Sequence, residues 1–324
     1  VKAFMTDAPP DGGATRAGFA AILGAPNAGK STLVNAVVGE KVSIVTHKVQ
    51  TTRFPVRGVA MRDAVQIVLV DTPGVFAPRR RLDRAMVAAA WRGAEDADAI
   101  VHVVDAAAEH RARAGKGSGA DAASSADAAR VLEGLKKLGR PALLALNKVD
   151  LLAKEQLLPL AQAFDASGAY DTIFMVSAAS GSGVADLVEE IAGRMPEGPW
   201  LYPADQAADL PARLLASEVT REKVYLRLHE ELPYRSTVET DSWKELKDGS
   251  VRIEQTLFVE RESQRKIALG KGGAVIKTIG TAAREDLEAM LDRRVHLFLH
   301  VKVRETWGEE RARYEAIGLD FDAD

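Results

Sequence analysis

Gly24-Ala25-Pro26-Asn27-Ala28-Gly29-Lys30-Ser31-Thr32 is the part of the sequence best equipped for chemistry. It follows the apolar run FAAIL (19–23) and leads directly into STLVNAVVG, whose apolar residues recur at helical spacing. Glycines there let successive backbone N–H groups turn inward around phosphate oxygens, at a helix N-terminus whose dipole also favours anions. Lys30 is placed to reach the β- and γ-phosphates, and the Ser31 hydroxyl to ligate Mg2+. The bland reading, a glycine-rich turn, would not need every one of these fixed positions in a strand–loop–helix setting.

The elements that complete such a site stand at the ends of other apolar runs. Asp71-Thr72-Pro73-Gly74 follows VQIVLV (65–70), so Asp71 emerges at the C-terminal edge of a sheet, where its carboxylate holds Mg2+ through water. Gly74 is placed to offer its N–H to the γ-phosphate. Asn147-Lys148-Val149-Asp150 follows ALLAL (142–146) and discriminates between bases. Asp150 accepts from the N1–H and N2–H2 of guanine, whereas adenine would set a lone pair against the same carboxylate. Asn147 is expected to brace the phosphate and base loops together, and the Lys148 stem to cover one ring face. Ser177-Ala178-Ala179, after IFMV (173–176), is expected to offer the Ala178 N–H to guanine O6.

These four elements, in this order, match the P-loop GTPase superfamily. Its switch I threonine belongs between the first helix and the second apolar run, where Gln50-Thr51-Thr52-Arg53 lies. Thr52 directly precedes Arg53, as in related GTPases, and is the expected third Mg2+ ligand beside Ser31 and Asp71; Thr51 is the alternative. Many relatives orient the attacking water with a glutamine just after DxxG, but Val75 stands here. That rules out the glutamine mechanism at this position and predicts slow intrinsic hydrolysis, with no catalytic base to name. Asn27 resembles the asparagine of GTPases that bind K+ beside the phosphates, and its bland role is to shape the loop.

A chain of 324 residues, 47% of them hydrophobic, is larger than one core usually organises, so two domains are expected. It contains no cysteine, which excludes disulfides and thiolate metal sites. No apolar run reaches the ~18 residues of a membrane span, and no leader pattern is apparent, so a soluble protein is expected. Net charge is −3, so a polyanion-binding surface must arise from local patterning.

Residues 1–17 lack periodicity and read as a flexible tail. From 18 to 195, short apolar runs alternate with helical patterns, predicting an α/β domain with a doubly wound, mainly parallel sheet. Residues 106–129 read as a low-complexity surface insertion. Residues 196–211 hold four prolines and read as a linker. Residues 212–324 form a smaller α+β domain in which VRIEQTLFVER (251–261) and VHLFLHVKV (295–303) alternate with period two, around a helical stretch starting at Gly272.

That second domain contains Gly270-Lys271-Gly272-Gly273 between a strand pattern and a helix, in the order βααβ of RNA-binding KH domains. Such a GxxG loop lets the backbone approach about four nucleotides. From 261 to 304 there are ten Lys or Arg against five acids, a phosphate-binding footprint in an acidic chain. Arg265, Lys266, Lys271 and Lys277 flank the loop and, with its glycines, are the candidate RNA contacts; a merely solvated basic face is the bland reading. Phe258 and Phe298 are expected to pack in the core rather than meet bases. His296 and His300, four residues apart on a strand, are too far apart to share a metal readily.

A GTPase domain carrying QTTR and DTPG, followed by a KH domain, resembles the Era family. LASEVTREKV (215–224), ELPY (231–234) and LFVERESQRKIALGKGGAVIKTIG (257–280) extend the likeness from about Phe19 to near the C-terminus. The resemblance implies a type II KH fold, GTP and GDP as ligands, and binding near the 3′ end of 16S rRNA. It also implies a part in 30S subunit maturation and a cytoplasmic monomer with peripheral contact at the inner face of the plasma membrane. Two other readings are distinct: a P-loop ATPase or small-molecule kinase, which Asn147–Asp150 opposes, and a P-loop NTPase whose KH domain binds RNA constitutively.

Overall fold

The computed structural model describes residues 14–323, which divide into two compact units. The first takes the chain to Ser43, then Thr52–Asp209 and the residues from Ile317 onward; the second takes Ile44–Thr51 and Leu210–Ala316. The tail expected over 1–17 lies mostly outside the described residues, and at Arg16 the chain is already strand.

In the first unit the strands are β1 (Arg16–Gly24), β2 (Val56–Arg62), β3 (Val65–Asp71), β4 (Ala99–Asp105), β5 (Ala142–Asn147), β6 (Tyr170–Met175) and β7 (Ala208–Asp209). Its helices are α1 (Lys30–Val38), α2 (Arg81–Glu95), α3 (Ala106–Arg113), α4 (Gly119–Leu138), α5 (Lys154–Asp165) and α6 (Val184–Arg194). The sheet order is β6-β5-β4-β1-β3-β2-β7, parallel from β6 to β3 and antiparallel beyond. The apolar runs are continuous because both faces are covered. Ile22, Leu69, Val101 and Val103 meet Leu33 of α1 and Leu187 and Ile191 of α6. Leu23, Ile100 and Leu144 meet Ala90 of α2, Val131 of α4 and Leu160 of α5. Each such buried aliphatic side chain stabilises the fold by about 1.5–3 kcal/mol.

Three expectations need correcting. Strand β2 stands between the first helix and VQIVLV, where no strand was expected; it is antiparallel, and Arg57 and Arg62 on it are exposed, which weakens its apolar signature. Residues 106–129, read as a low-complexity surface insertion, are regular structure: they form α3 and the first half of α4, with 113–120 exposed. Ala106, Ala107, Ala108 and Ala128 are buried there, because alanine fits where helix and sheet approach closely. The proline-rich stretch, read as a linker over 196–211, packs with the first unit as far as Asp209. Gln66 accepts from Leu201 N and Tyr202 N at 2.7 and 2.9 Å, and β7 extends the sheet by pairing with β2.

The second unit contains α7 (Ala212–Arg227), β8 (Ser236–Glu245), β9 (Val251–Val259), α8 (Glu262–Leu269), α9 (Ala274–Leu291), β10 (Val295–Val303) and α10 (Arg311–Ala316). Its sheet order is β10-β9-β8, with β10 parallel and β8 antiparallel to β9. Alternation along β9 buries Val251, Ile253, Leu257 and Val259 against Val219 and Val224 of α7 and Ile279 and Leu287 of α9. The helical stretch expected from Gly272 is α9, which begins at Ala274, and a further helix, α8, precedes the glycine loop.

Candidate functional site

The parallel strands of the first unit end in Gly24, Asp71, Asp105, Asn147 and Met175, so the residues that follow share one edge of the sheet. The loop 24–30 leads from β1 into α1, and the Lys30 ammonium donates to Gly24 O at 3.2 Å and Ala25 O at 2.9 Å. Burial pulls the Lys30 pKa down to about 8, opposed by the nearby Asp71 carboxylate. Gly29 has φ 98°, and a Cβ there would stand 2.1 Å from Asn147 Nδ2, so only glycine lets the two loops meet.

Ser31 and Asp71 come together with one of the two threonine candidates. Ser31 Oγ donates to Asp71 Oδ2 at 2.7 Å and lies 2.9 Å from Thr52 Oγ1, which is 3.4 Å from the same carboxylate oxygen. Thr51 is elsewhere: its hydroxyl lies 2.6 Å from Thr46 Oγ1 and donates to Lys48 O at 2.7 Å. Burial raises the Asp71 pKa despite hydrogen bonds from Ser31 and Thr52, and its Oδ1 is buried without a hydrogen-bond partner. A buried, orphaned carboxylate oxygen beside two hydroxyls is a donor set of hard oxygens that suits Mg2+. Val75, at the position of the missing glutamine, is 1% exposed and packs in the core, so it presents nothing to a water.

Asn147 occupies the join between loops: Nδ2 donates to Ala28 O at 2.9 Å, and Oδ1 accepts from Ala178 N at 3.0 Å. The Ala178 N–H, the expected donor to guanine O6, is thus paired with Asn147. Ala179, next along, is exposed. Asp150 is exposed at the mouth of the same loop. Pro26, Asn27, Ala28, Thr32, Thr72, Pro73, Gly74 and Ser177 all lie in the loops and first helical turn along this edge.

In the second unit, the loop 270–273 has Gly270, Gly272 and Gly273 at φ 71°, 60° and 80°. A Cβ on Gly270 would come within 2.5 Å of Val275, whereas one on Gly272 would meet nothing within 4 Å. Gly270 is therefore required by packing, and Gly272 leaves the backbone open to solvent. Lys266, Lys271 and Lys277 are exposed around the loop and make no ion pair among the described residues. Arg265 is more constrained, donating to Glu262 at 2.9 Å and to Val301 O at 3.3 Å.

Phe258 is 8% exposed, with the Arg313 guanidinium 4.7 Å above its ring. Phe298 departs from the expected core packing: it is 44% exposed on β10, with Arg252 stacked 4.6 Å from its ring centre. Ile267, 60% exposed on α8 beside the loop, was not singled out by the sequence because α8 is too short to display a clear apolar stripe.

The sequence also gave no sign of what holds residues 44–51 in the second unit. Arg221 on α7, 1% exposed, binds Glu218 through two nitrogens and donates to the Thr51 carbonyl. Glu222 accepts from Val45 N at 2.9 Å, and the Tyr225 hydroxyl donates to Gln50 O at 3.3 Å. Arg221 and Glu222 lie in the LASEVTREKV stretch, where charged residues on a helix suggest a solvated face; only the packing of 44–51 reveals their burial.

Residues 19–148 match the family model described as 50S ribosome-binding GTPase, and residues 231–308 match the KH domain model. GTPase Era of Caulobacter vibrioides is 64% identical over 308 residues, covering 95% of this chain and 98% of that protein. GTPase Era of Maricaulis maris is 61% identical, covering 98% and 100%. Two solved structures superpose with a TM-score of 0.84 at 34% identity, covering 94% of this chain and 99% of each of theirs. One is a variant of Aquifex aeolicus Era bound to GDP.AlF4-; the other is Era in complex with MgGDPNP and nucleotides 1506–1542 of 16S ribosomal RNA. With both domains matched in order and nearly the whole chain aligned, the chain belongs to the Era family of GTPases.

Proposed function

We propose that the protein is a GTP-hydrolysing switch that binds 16S rRNA near its 3′ end and assists 30S subunit assembly and maturation. The observation that carries the switch is the division between two adjacent residues. Thr52 sits with Ser31 and Asp71 where Mg2+ and the γ-phosphate belong, while the carbonyl of Thr51 is held by Arg221 of the second unit. Any rearrangement of Thr52 on hydrolysis pulls on a segment that the RNA-binding unit anchors through Arg221, Glu222 and Tyr225. Coupling thus runs through 44–51 rather than through the proline-rich stretch alone.

In this reading the loop 24–32 binds the phosphates, and Lys30 and Gly74 contact the terminal one. Ser31, Thr52 and Asp71 would hold Mg2+, which would supply positive charge against the phosphates. Asn147, Lys148, Asp150 and the 177–179 turn recognise guanine. Arg265, Lys266, Gly270, Lys271, Gly272, Gly273 and Lys277 form the RNA site, where lysines meet phosphates and the glycine backbone admits the strand. Asn27 helps to hold K+ beside the phosphates, adding the positive charge that an arginine supplies elsewhere. The protein acts as a cytoplasmic monomer with reversible contact at the inner face of the plasma membrane, which flotation with anionic vesicles tests. No helix among the described residues is long and apolar enough to cross a membrane.

RNA affinity in three states, with a non-hydrolysable GTP analogue, with GDP and without nucleotide, tests the switch. Linkage requires that GTP and RNA favour each other by equal free energy, so binding should be tightest with the analogue. Equal affinity in all three states would instead establish constitutive RNA binding.

A further inference from the structure

Asp105 ends β4 directly beside Asn147 of β5 in the parallel register, and so lies against the base-recognition loop without belonging to any of its motifs. Its two carboxylate oxygens do different work. Oδ1 accepts from Ala108 N at 2.8 Å and caps α3. Oδ2 accepts from the Lys148 ammonium at 2.6 Å, and the same ammonium donates to Asn27 O, in the phosphate loop, at 2.8 Å. The Lys148 side chain is therefore fixed at its far end by one carboxylate and one phosphate-loop carbonyl.

That fixation matters because the near end of Lys148 is held in an unfavourable state. Lys148 has φ 64°, a left-handed conformation that costs a non-glycine residue free energy and persists only when its surroundings hold it. Its stem can cover a purine face only while the ammonium stays tied down; released, a lysine side chain regains several rotatable bonds of freedom. The ion pair is only partly exposed, at 32% for Lys148 and 12% for Asp105, so water screens it incompletely.

We infer that Asp105 is a positioning residue for the guanine nucleotide, acting through Lys148 to preorganise the base loop against the phosphate loop. The inference rests on the reading of 147–150 as the guanine site. It extends that site to a residue which meets neither base nor phosphate.

Asp105→Asn separates the two duties, because asparagine caps helices about as well as aspartate but carries no charge for Lys148. With the amide oxygen on Ala108 N, its NH2 group faces the ammonium and repels it. In the full-length variant, Kd for GDP and for a GTP analogue should rise by about tenfold, by the same factor for both. The loss should fall on KM rather than kcat, with Tm close to that of the parent. Asp105→Ala should match it in Kd but also lose thermal stability through the missing cap. In a Lys148→Met background, Asp105→Asn should add nothing further. Asp150→Asn serves as the separate check on the base site: GDP binding falls and xanthosine diphosphate binding rises. Unchanged GDP affinity in Asp105→Asn overturns the inference and leaves Asp105 a helix cap, whatever Asp150→Asn does. Failure of Asp150→Asn to gain xanthosine diphosphate overturns the base-site reading itself.

Discussion

The nucleotide loops and the RNA loop are both built on glycine, yet the two are organised in opposite ways. Around the phosphate loop, side chains satisfy one another: Asn147 spans two loops, Lys148 ties Asp105 to Asn27, and Ser31, Thr52 and Asp71 share one carboxylate oxygen. Around Gly272 nothing fills the space, and three exposed lysines surround it without ion-pair partners among the described residues. The first set of loops is cross-tied by its own side chains, which suits the proposed recognition of one base; the second leaves backbone and charge open, which suits the proposed flexible polyanion. Their mutational responses should therefore differ in kind, with side-chain losses felt at the first and side-chain additions at the second.

The largest expected effect is an addition. Gly272→Asp places a carboxylate where a phosphate must approach, at a φ of 60° that aspartate tolerates better than most residues, with no atom within 4 Å to displace. RNA binding in a filter or fluorescence assay should be lost while GDP affinity and Tm stay close to the parent values. RNA binding at parental affinity would remove the glycine loop from the interface.

The middle effect sharpens the contrast through pH, because burial is what distinguishes Lys30 from the exposed lysines. Its pKa is lowered to about 8, against 10.5 in the unfolded chain, so between those values the unfolded state binds more protons. In nucleotide-free protein this group makes stability rise with pH from about 8 upward. Phosphate needs the charged form, so nucleotide binding near pH 8.5 must restore the proton to Lys30, and affinity should decline several-fold as pH climbs further. Calorimetry in buffers of differing ionisation enthalpy measures that proton uptake directly; a value near zero at pH 8.5 would show that Lys30 is already charged.

The contrast also explains what could be read from the sequence. A site made of fixed residue types at strand ends is legible because each type answers a chemical demand: lysine for phosphate, hydroxyl for Mg2+, carboxylate for guanine. Thr52 is legible as the preferred threonine from its place before Arg53, but its hydroxyl has the same chemistry as that of Thr51, and only the packing shows the Thr51 hydroxyl on Thr46 and Lys48 and its carbonyl on Arg221. Ala178 is hard to read from residue types because its part in the site is a backbone N–H, which has no side-chain signature; in the fold that N–H donates to Asn147. Alanine-rich 106–129 looked featureless for a related reason: alanine contributes to a core by permitting close approach rather than by bulk. Phe298 shows the converse limit, since period-two alternation assigns a face of the sheet but not whether anything covers it.

The smallest expected effect concerns Asn27, which sits where the two kinds of organisation meet. Its carbonyl is committed to Lys148, but the residue is exposed and left-handed at φ 62°, so its side chain projects from the rim of an otherwise buried loop. Val75 supplies no water-orienting group, and the buried charge of Lys30 is already engaged with loop carbonyls. An added monovalent cation at the rim would offset charge that develops on the transferring phosphoryl group, lowering the barrier without touching ground-state affinity. Hydrolysis in K+ should then exceed that in Na+ by several-fold at equal ionic strength. Asn27→Ala should erase the difference while leaving GDP affinity intact, because the Lys148 contact uses the backbone. Equal rates in the two salts would return Asn27 to the shaping of its loop, and the charge that accelerates hydrolysis would have to come from a partner.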